Sequence, residues 1–188
     1  MTETLDVIAR RFACRAYTDQ PVPHDLLRQV AEAGLHAPSA FNRQPWRLVI
    51  VDDKSTVASL GEVGLAFLHT NDEADYKRIM GRGGLLMYNA PAMIVIANEP
   101  IPGMLSTDLD VGIVASHLAL AATSLGLNCC IAGLPAVAFQ GTDGESRGRA
   151  LGIPDGFVCS LVVLLGYGVE PQGTPHEIDL SKLIDPAA

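Results

Sequence analysis

The chain has 188 residues, 48% hydrophobic and 18% charged, so it carries far more apolar surface to hide than a disordered polymer does. Its net charge of −8 and pI near 4.9 argue against general affinity for nucleic acid or anionic membranes, both of which call for a basic face. No apolar run approaches the roughly 20 residues of a membrane span and no basic start leads into one, so a cytoplasmic protein without a signal peptide is expected.

Residues 3–11 read as a short helix with Leu5, Ile8 and Ala9 along one stripe. Arg10, Arg11 and Arg15 form the main basic cluster of this acidic chain. They mark either a local anion site or a charged helix end that complements the helix dipole. Pro21 and Pro23 announce a second helix, whose buried face is Leu26, Leu27, Val30, Ala31 and Leu35. The loop Ala37-Pro38-Ser39-Ala40-Phe41-Asn42-Arg43-Gln44-Pro45 then leads into a strand, Trp46–Val51. Two amides and a hydroxyl in so short a connection suit ligand contact better than a mere turn. One or two helices follow from Lys54 to about Gly83, loosened in the middle by Gly61 and Gly64, and Ala92–Ala97 is a fully apolar strand.

The most strongly helical segment is 108–125, with Val111, Val114, Ala115, Leu118, Ala119 and Ala122 at helical spacing and Gly126 as terminator. It is nearly apolar all round, which places it at the centre of the protein or along a subunit interface. A short strand at 128–131, a turn at Gly133-Leu134-Pro135 and a long apolar strand at 157–165 follow, closed by Gly166-Tyr167-Gly168. Residues from about 168 to 188, rich in Pro and Gly, read as an arm. Helices and strands interleave without regular alternation, which predicts one α+β domain over 1–188 around a central mixed, mainly antiparallel sheet.

Little of this carries chemistry by itself. Cys14, Cys129, Cys130 and Cys159 lack metal-site spacing and read as small buried thiols, with Cys129 and Cys130 on opposite faces of a strand. Gly81-Arg82-Gly83-Gly84 fails as a dinucleotide fingerprint, because no strand precedes it and the spacing is wrong. The five histidines are isolated, and His117 reads as a hydrogen-bonded core or interface residue. With no evident nucleophile, metal site or paired acid, a cofactor is expected to supply the chemistry.

The run Arg10 to Tyr17 with Pro21-Val22-Pro23, and the Ala37–Trp46 loop, resemble the opening signatures of the nitroreductase family. Asp108-x-Asp110-x-Gly112 through Leu127, Cys129–Gly133 and Leu165-Gly166-Tyr167 resemble its later segments, in the family's order and spacing. The resemblance implies a homodimer with FMN in clefts between subunits, reduced by NADPH or NADH and reoxidised by a nitroaromatic, quinone or similar small aromatic acceptor. It implies that Arg11, with Arg10, grips the FMN phosphate, that Phe12 and Ala13 lie along the cofactor, and that Arg15 sits at the pyrimidine edge of the ring. Pro38, Ser39, Ala40, Asn42 and Gln44 would line the ring from the other subunit, with His36 near the phosphate. Ile131, Ala132 and Gly133 would cover the opposite face. No catalytic side chain and no metal are implied. Ala13 stands where the family usually has Ser, and the arm has His176 and Lys182 but no Arg. A looser grip, or one through Arg10, Arg11 and His36, follows, and with it the alternatives of an FMN carrier or a dehalogenase-type reaction on the same fold.

Overall fold

The structure, a computed structural model, describes residues 2–100, 106–169 and 173–185. Its centre is a four-stranded sheet built from β1 (Trp46–Val51), β2 (Ala92–Asn98), β3 (Asn128–Ala132) and β4 (Val158–Gly166), in the order β1-β2-β4-β3. Every ladder is antiparallel, with Val49 opposite Val95, Val95 opposite Val162 and Cys130 opposite Leu164. That refines the expected mixed sheet: the parallel pairing found is an isolated bridge between Ala13 and Cys129.

The continuous apolar runs of β2 and β4 have a simple cause. Successive strand residues point to opposite faces, and here both faces are covered. Ala92, Ile94, Ile96, Val163 and Leu165 enter one core, under α2 (His24–Leu35) and α5 (Ser106–Ser124). Met93, Val95, Ala97, Val162 and Leu164 enter the other, under α3 (Lys54–Asn71) and the 3-10 turn Leu134–Phe139. The expected apolar face of α5 is fully packed, and the helix ends in a Schellman turn: Leu127 N–H donates to Ala122 O at 2.9 Å across Gly126, whose φ is +79°. No helix among the described residues is long and apolar enough to cross a membrane.

Several expectations are corrected. In α1 (Glu3–Arg10) it is Val7 that is buried, while Leu5 and Ile8 are about half exposed, at 52% and 50%. Leu35 is exposed at the end of α2, because the helix turns Gly34 to the core instead. A Cβ there would stand 2.5 Å from Leu118 Cδ2, so only a glycine lets α2 approach α5 this closely. Gly61 and Gly64 do not loosen α3, which runs unbroken for 18 residues. They admit Met87 and Leu86, whose side chains would lie 3.1 and 2.4 Å from an added Cβ. Helix α4 (Glu73–Met80) follows directly. One helix, α6 (Gly144–Ala150), was not foreseen; Arg147 fastens it by donating to Ala138 O and Gln140 O, each at 2.7 Å.

Candidate functional site

The site forms where the N-terminal segment meets the outer edge of β3. Cys14 N–H donates to Cys129 O at 2.9 Å, and Thr18 N–H donates to Tyr167 O at 2.8 Å, so residues 13–18 run along the strand and the end of β4. The Tyr17 hydroxyl, buried, donates to the carbonyls of Cys14 and Leu164 and pins this segment. As the sequence suggested, Cys129 belongs to one core and Cys130 to the other. The same alternation opens two clefts, one on each side of the strand edge.

The first cleft, about 240 Å³, is lined by Arg10, Arg11, Phe12, Thr123 and residues 126–129. Arg10 pairs with Asp6 one turn back at 3.5 Å and serves the helix end, one of the two roles open to the basic cluster. Arg11 is half-buried and pairs with no carboxylate among the described residues. Burial pushes the Cys129 thiol up to about 11, and the Arg11 charge works against that rise. A half-buried guanidinium with no carboxylate partner among the described residues, beside backbone exposed by the Gly126 turn, suits an oxyanion.

The second cleft, about 180 Å³, is lined by Arg15, Arg78, Arg82, Tyr88 and Cys130 through Pro135. Ile131 stands 39% exposed beside the buried Cys129 and Cys130, so the wall formed with Ala132 and Gly133 is apolar and open. Burial raises the Cys130 thiol, with the Arg15 charge opposing. The structure therefore separates Arg11 from Arg15 into different clefts. It also brings in Arg78 and Arg82, which sequence reasoning passed over. The signal available was Arg82 inside the glycine run; nothing in sequence tied it to Arg15.

The 36–44 loop is held apart from both clefts, since none of its residues lines either. Ala40 N–H donates to Oδ1 of the buried Asp110 at 3.0 Å, which fixes the loop to α5. Gln44 N–H donates to Ser39 Oγ at 2.9 Å, and Gln44 Nε2 donates to Asn42 Oδ1 at 2.8 Å. Phe41, Asn42 and Gln44 adopt left-handed backbone, φ +54°, +54° and +50°, and Phe41 is 89% exposed. Pro38 and His36 are exposed too, and His36 closes α2 by donating its N–H to Ala33 O at 3.2 Å. The loop is thus ordered at the cost of backbone strain while Phe41, Asn42 and Gln44 stay exposed. Among the described residues, no group of three or more His, Cys, Asp or Glu could hold a metal.

Comparison with known proteins assigns this architecture. The nitroreductase crystal structure with bound FMN from Desulfitobacterium hafniense superposes with a TM-score of 0.91 at 39% identity, covering 98% of each chain. That of a nitroreductase with bound FMN from Bacteroides fragilis gives 0.83 at 25% identity, again over 98% of each. A curated relative, an NADH dehydrogenase of Thermus thermophilus, is 29% identical over 93% of this chain and 91% of its own length. The model of the Nitroreductase family matches residues 8–167. The chain belongs to the nitroreductase family.

Proposed function

We propose that the protein is an FMN-dependent oxidoreductase that takes reducing equivalents from NADPH or NADH and delivers them to a flat, electron-poor acceptor such as a nitroaromatic or a quinone. The observation that carries this is the pair of clefts on the two sides of β3: one polar and cationic, suited to a phosphate, the other with the apolar segment Ile131–Gly133 and arginines in its lining, suited to a ring that gains negative charge. The FMN in the 39%-identical Desulfitobacterium structure supports the same reading. When bound, FMN supplies reversible two-electron chemistry that no side chain here offers.

In this assignment Arg11 holds the phosphate with bidentate geometry, Arg10 adds charge, and Phe12 and Ala13 contribute backbone. Arg15 fixes a positive charge at the pyrimidine edge, where negative charge gathers, so the field is in place before the chemistry starts. Ile131, Ala132 and Gly133 form the wall behind the ring and keep water off it. A second copy supplies Pro38, Ser39, Ala40, Asn42 and Gln44, and His36 with them. The homodimer is supported by the apolar residues that one chain leaves in solvent: Leu5, Ile8, Leu35, Phe41 and Leu109, and Ile178, Leu180, Leu183 and Ile184 on the arm. Residues 1–188 then work as one domain, with the stretch from about 168 as an arm. No general base is needed, in keeping with thiols that burial holds protonated.

The test is the visible spectrum of the purified protein, followed by anaerobic addition of NADPH and NADH in separate cuvettes. A yellow protein bleached by either donor, then restored by a nitroaromatic, is the expected result. A colourless protein that takes up no FMN would overturn the assignment. Flavin that neither donor bleaches would leave a carrier in its place.

A further inference from the structure

We infer that Cys14 and Cys130 are a redox pair that hydrogen peroxide joins as a disulfide, fastening the N-terminal segment to β3; the inference does not depend on the oxidoreductase assignment above.

The four cysteines are free thiols, and the electron transfer assigned above uses none of them. Three of them, Cys14, Cys129 and Cys130, lie where the N-terminal segment runs along β3. The isolated parallel bridge pairs Ala13 with Cys129, and Cys14 N–H donates to Cys129 O at 2.9 Å. Parallel partners advance together along the two chains, so the next residues, Cys14 and Cys130, stand side by side. Both enter the same core, while Cys129 enters the other. Tyr17 gives a second bearing. Its hydroxyl donates to Cys14 O at 3.1 Å and to Leu164 O at 3.3 Å, and Leu164 is the residue opposite Cys130 on β4. One buried hydroxyl thus ties Cys14 to the rung of the sheet that carries Cys130.

The spacing suits a bridge. Paired strands lie about 4.8 Å apart, inside the roughly 4.4–6.8 Å between Cα atoms that a disulfide spans. The reduced Cys14 thiol donates to Ala16 O at 3.2 Å, and closure exchanges that weak hydrogen bond for a covalent one. Both residues are buried, at 4% and 3%, yet Cys130 lines the second cleft, through which peroxide reaches it. Burial raises both thiols from the ordinary 9.0, and at Cys130 the Arg15 charge opposes that rise, so Cys130 is the thiol that reacts first. Its thiolate attacks one peroxide oxygen, the O–O bond breaks, hydroxide leaves and a sulfenic acid remains. The Cys14 thiolate then attacks that sulfur, the S–S bond forms and a second hydroxide leaves. The two thiol protons turn both hydroxides into water, so two thiols and one peroxide give one disulfide and two waters. Cys129 faces the other core, and Cys159, opposite Ala97, lies beyond the stretch of β4 that β3 pairs with. Neither stands beside Cys14 in this way.

The test treats the purified protein, reduced and freed of reductant, with hydrogen peroxide, alkylates the remaining thiols and reads intact mass and tryptic peptides. The short peptide Phe12–Arg15 is expected joined to the peptide that carries residue 130, with the loss of two hydrogens, and released by dithiothreitol. The double variant C129S/C159S, which keeps only the proposed pair, is expected to cross-link like the wild type, and C14S and C130S not at all. Below pH 9 the rate is expected to rise about tenfold per pH unit, because the thiolate is the nucleophile. The oxidised protein is expected to unfold at a higher denaturant midpoint than the reduced one, since the bridge constrains the unfolded chain. Peroxide that leaves both thiols free in the double variant, or drives them to sulfinic acid without a bridge, would overturn the inference. A bridge formed in C130S would overturn it too and assign the partner to Cys129, and a bridge with no change in midpoint would remove the fastening role. A protein that forms the bridge yet takes up no FMN would leave this inference standing while the oxidoreductase assignment falls.

Discussion

Replacing Asp110 by alanine is expected to weaken both the fold and the grip on FMN. Asp110 is buried and accepts the Ala40 N–H at 3.0 Å, tying the outward-facing loop to α5. Hydrogen bonds to charged groups contribute roughly 1.5–3 kcal/mol, and Ala40 is only half-buried, so water recovers part of the loss; about 1.5 kcal/mol is the working figure. For a chain of this length each kcal/mol moves Tm by roughly 2–4 °C, which gives a drop of about 3–6 °C. The freed loop includes Phe41, Asn42 and Gln44, all held at positive φ, and it must be ordered again when ligand binds. If that takes about 1 kcal/mol from binding, FMN affinity falls about fivefold. Calorimetry gives Tm, and quenching of FMN fluorescence gives affinity. Asp110→Asn keeps an acceptor of the same shape, and its Tm is expected within about 2 °C of the wild type. A fall in Tm with FMN affinity untouched would show that the loop meets no cofactor. Equal losses in the alanine and asparagine variants would show that charge, and not the hydrogen bond to Ala40, is what matters.

Arg11→Ala is expected to lower FMN affinity about tenfold or more and Arg10→Ala less, because Arg10 already pairs with Asp6, and Arg11→Lys should fall between; titration at two salt concentrations checks the order. Gly144→Ala would put a Cβ 2.1 Å from the Phe139 carbonyl oxygen, a backbone atom that cannot swing aside, so a loss of about 1–3 kcal/mol is expected from chemical denaturation. Ser55 and Thr56 donate to Asp53 at the start of α3 and hold its carboxyl down at about 2, against an ordinary 3.8. That depressed value makes its contribution complete above pH 3.8 and lost as pH falls toward 2. Wild-type Tm should therefore drop more steeply than that of Asp53→Ala across this window, and parallel curves would refute the assignment.

The fold was legible where burial was two-sided or strongly periodic. Ala92–Ala97 reads as a buried strand because its residues alternate between the two cores, and α5 reads as a helix because its apolar residues return at every turn. Helix α6 was invisible for the opposite reason. Gly144-Glu145-Ser146-Arg147-Gly148-Arg149-Ala150 has no apolar stripe, and what fastens it is a pair of arginine bonds to distant carbonyls. The glycines of α3 misled in the same way: propensity says that they loosen a helix, while tertiary contact with Leu86 and Met87 decides the outcome.

The ordered motifs located the strip Arg10–Arg15, the strand at Cys129–Ile131 and the 36–44 loop, yet they could not say how these divide in space. One residue of displacement along β3 changes the cleft: Cys129 lines the first and Cys130 the second, so cations that cluster in sequence face different chemistry. Arg78 and Arg82 were harder still. On paper Arg78 is one member of an i,i+3 pair with Asp75 on a solvated helix face, and such pairs usually mean nothing beyond solubility. Only the packing of Ile79 against Leu68 and Leu86, together with the glycine turn after Met80, carries these side chains to the rim where Arg15 waits. Long-range packing decides that convergence.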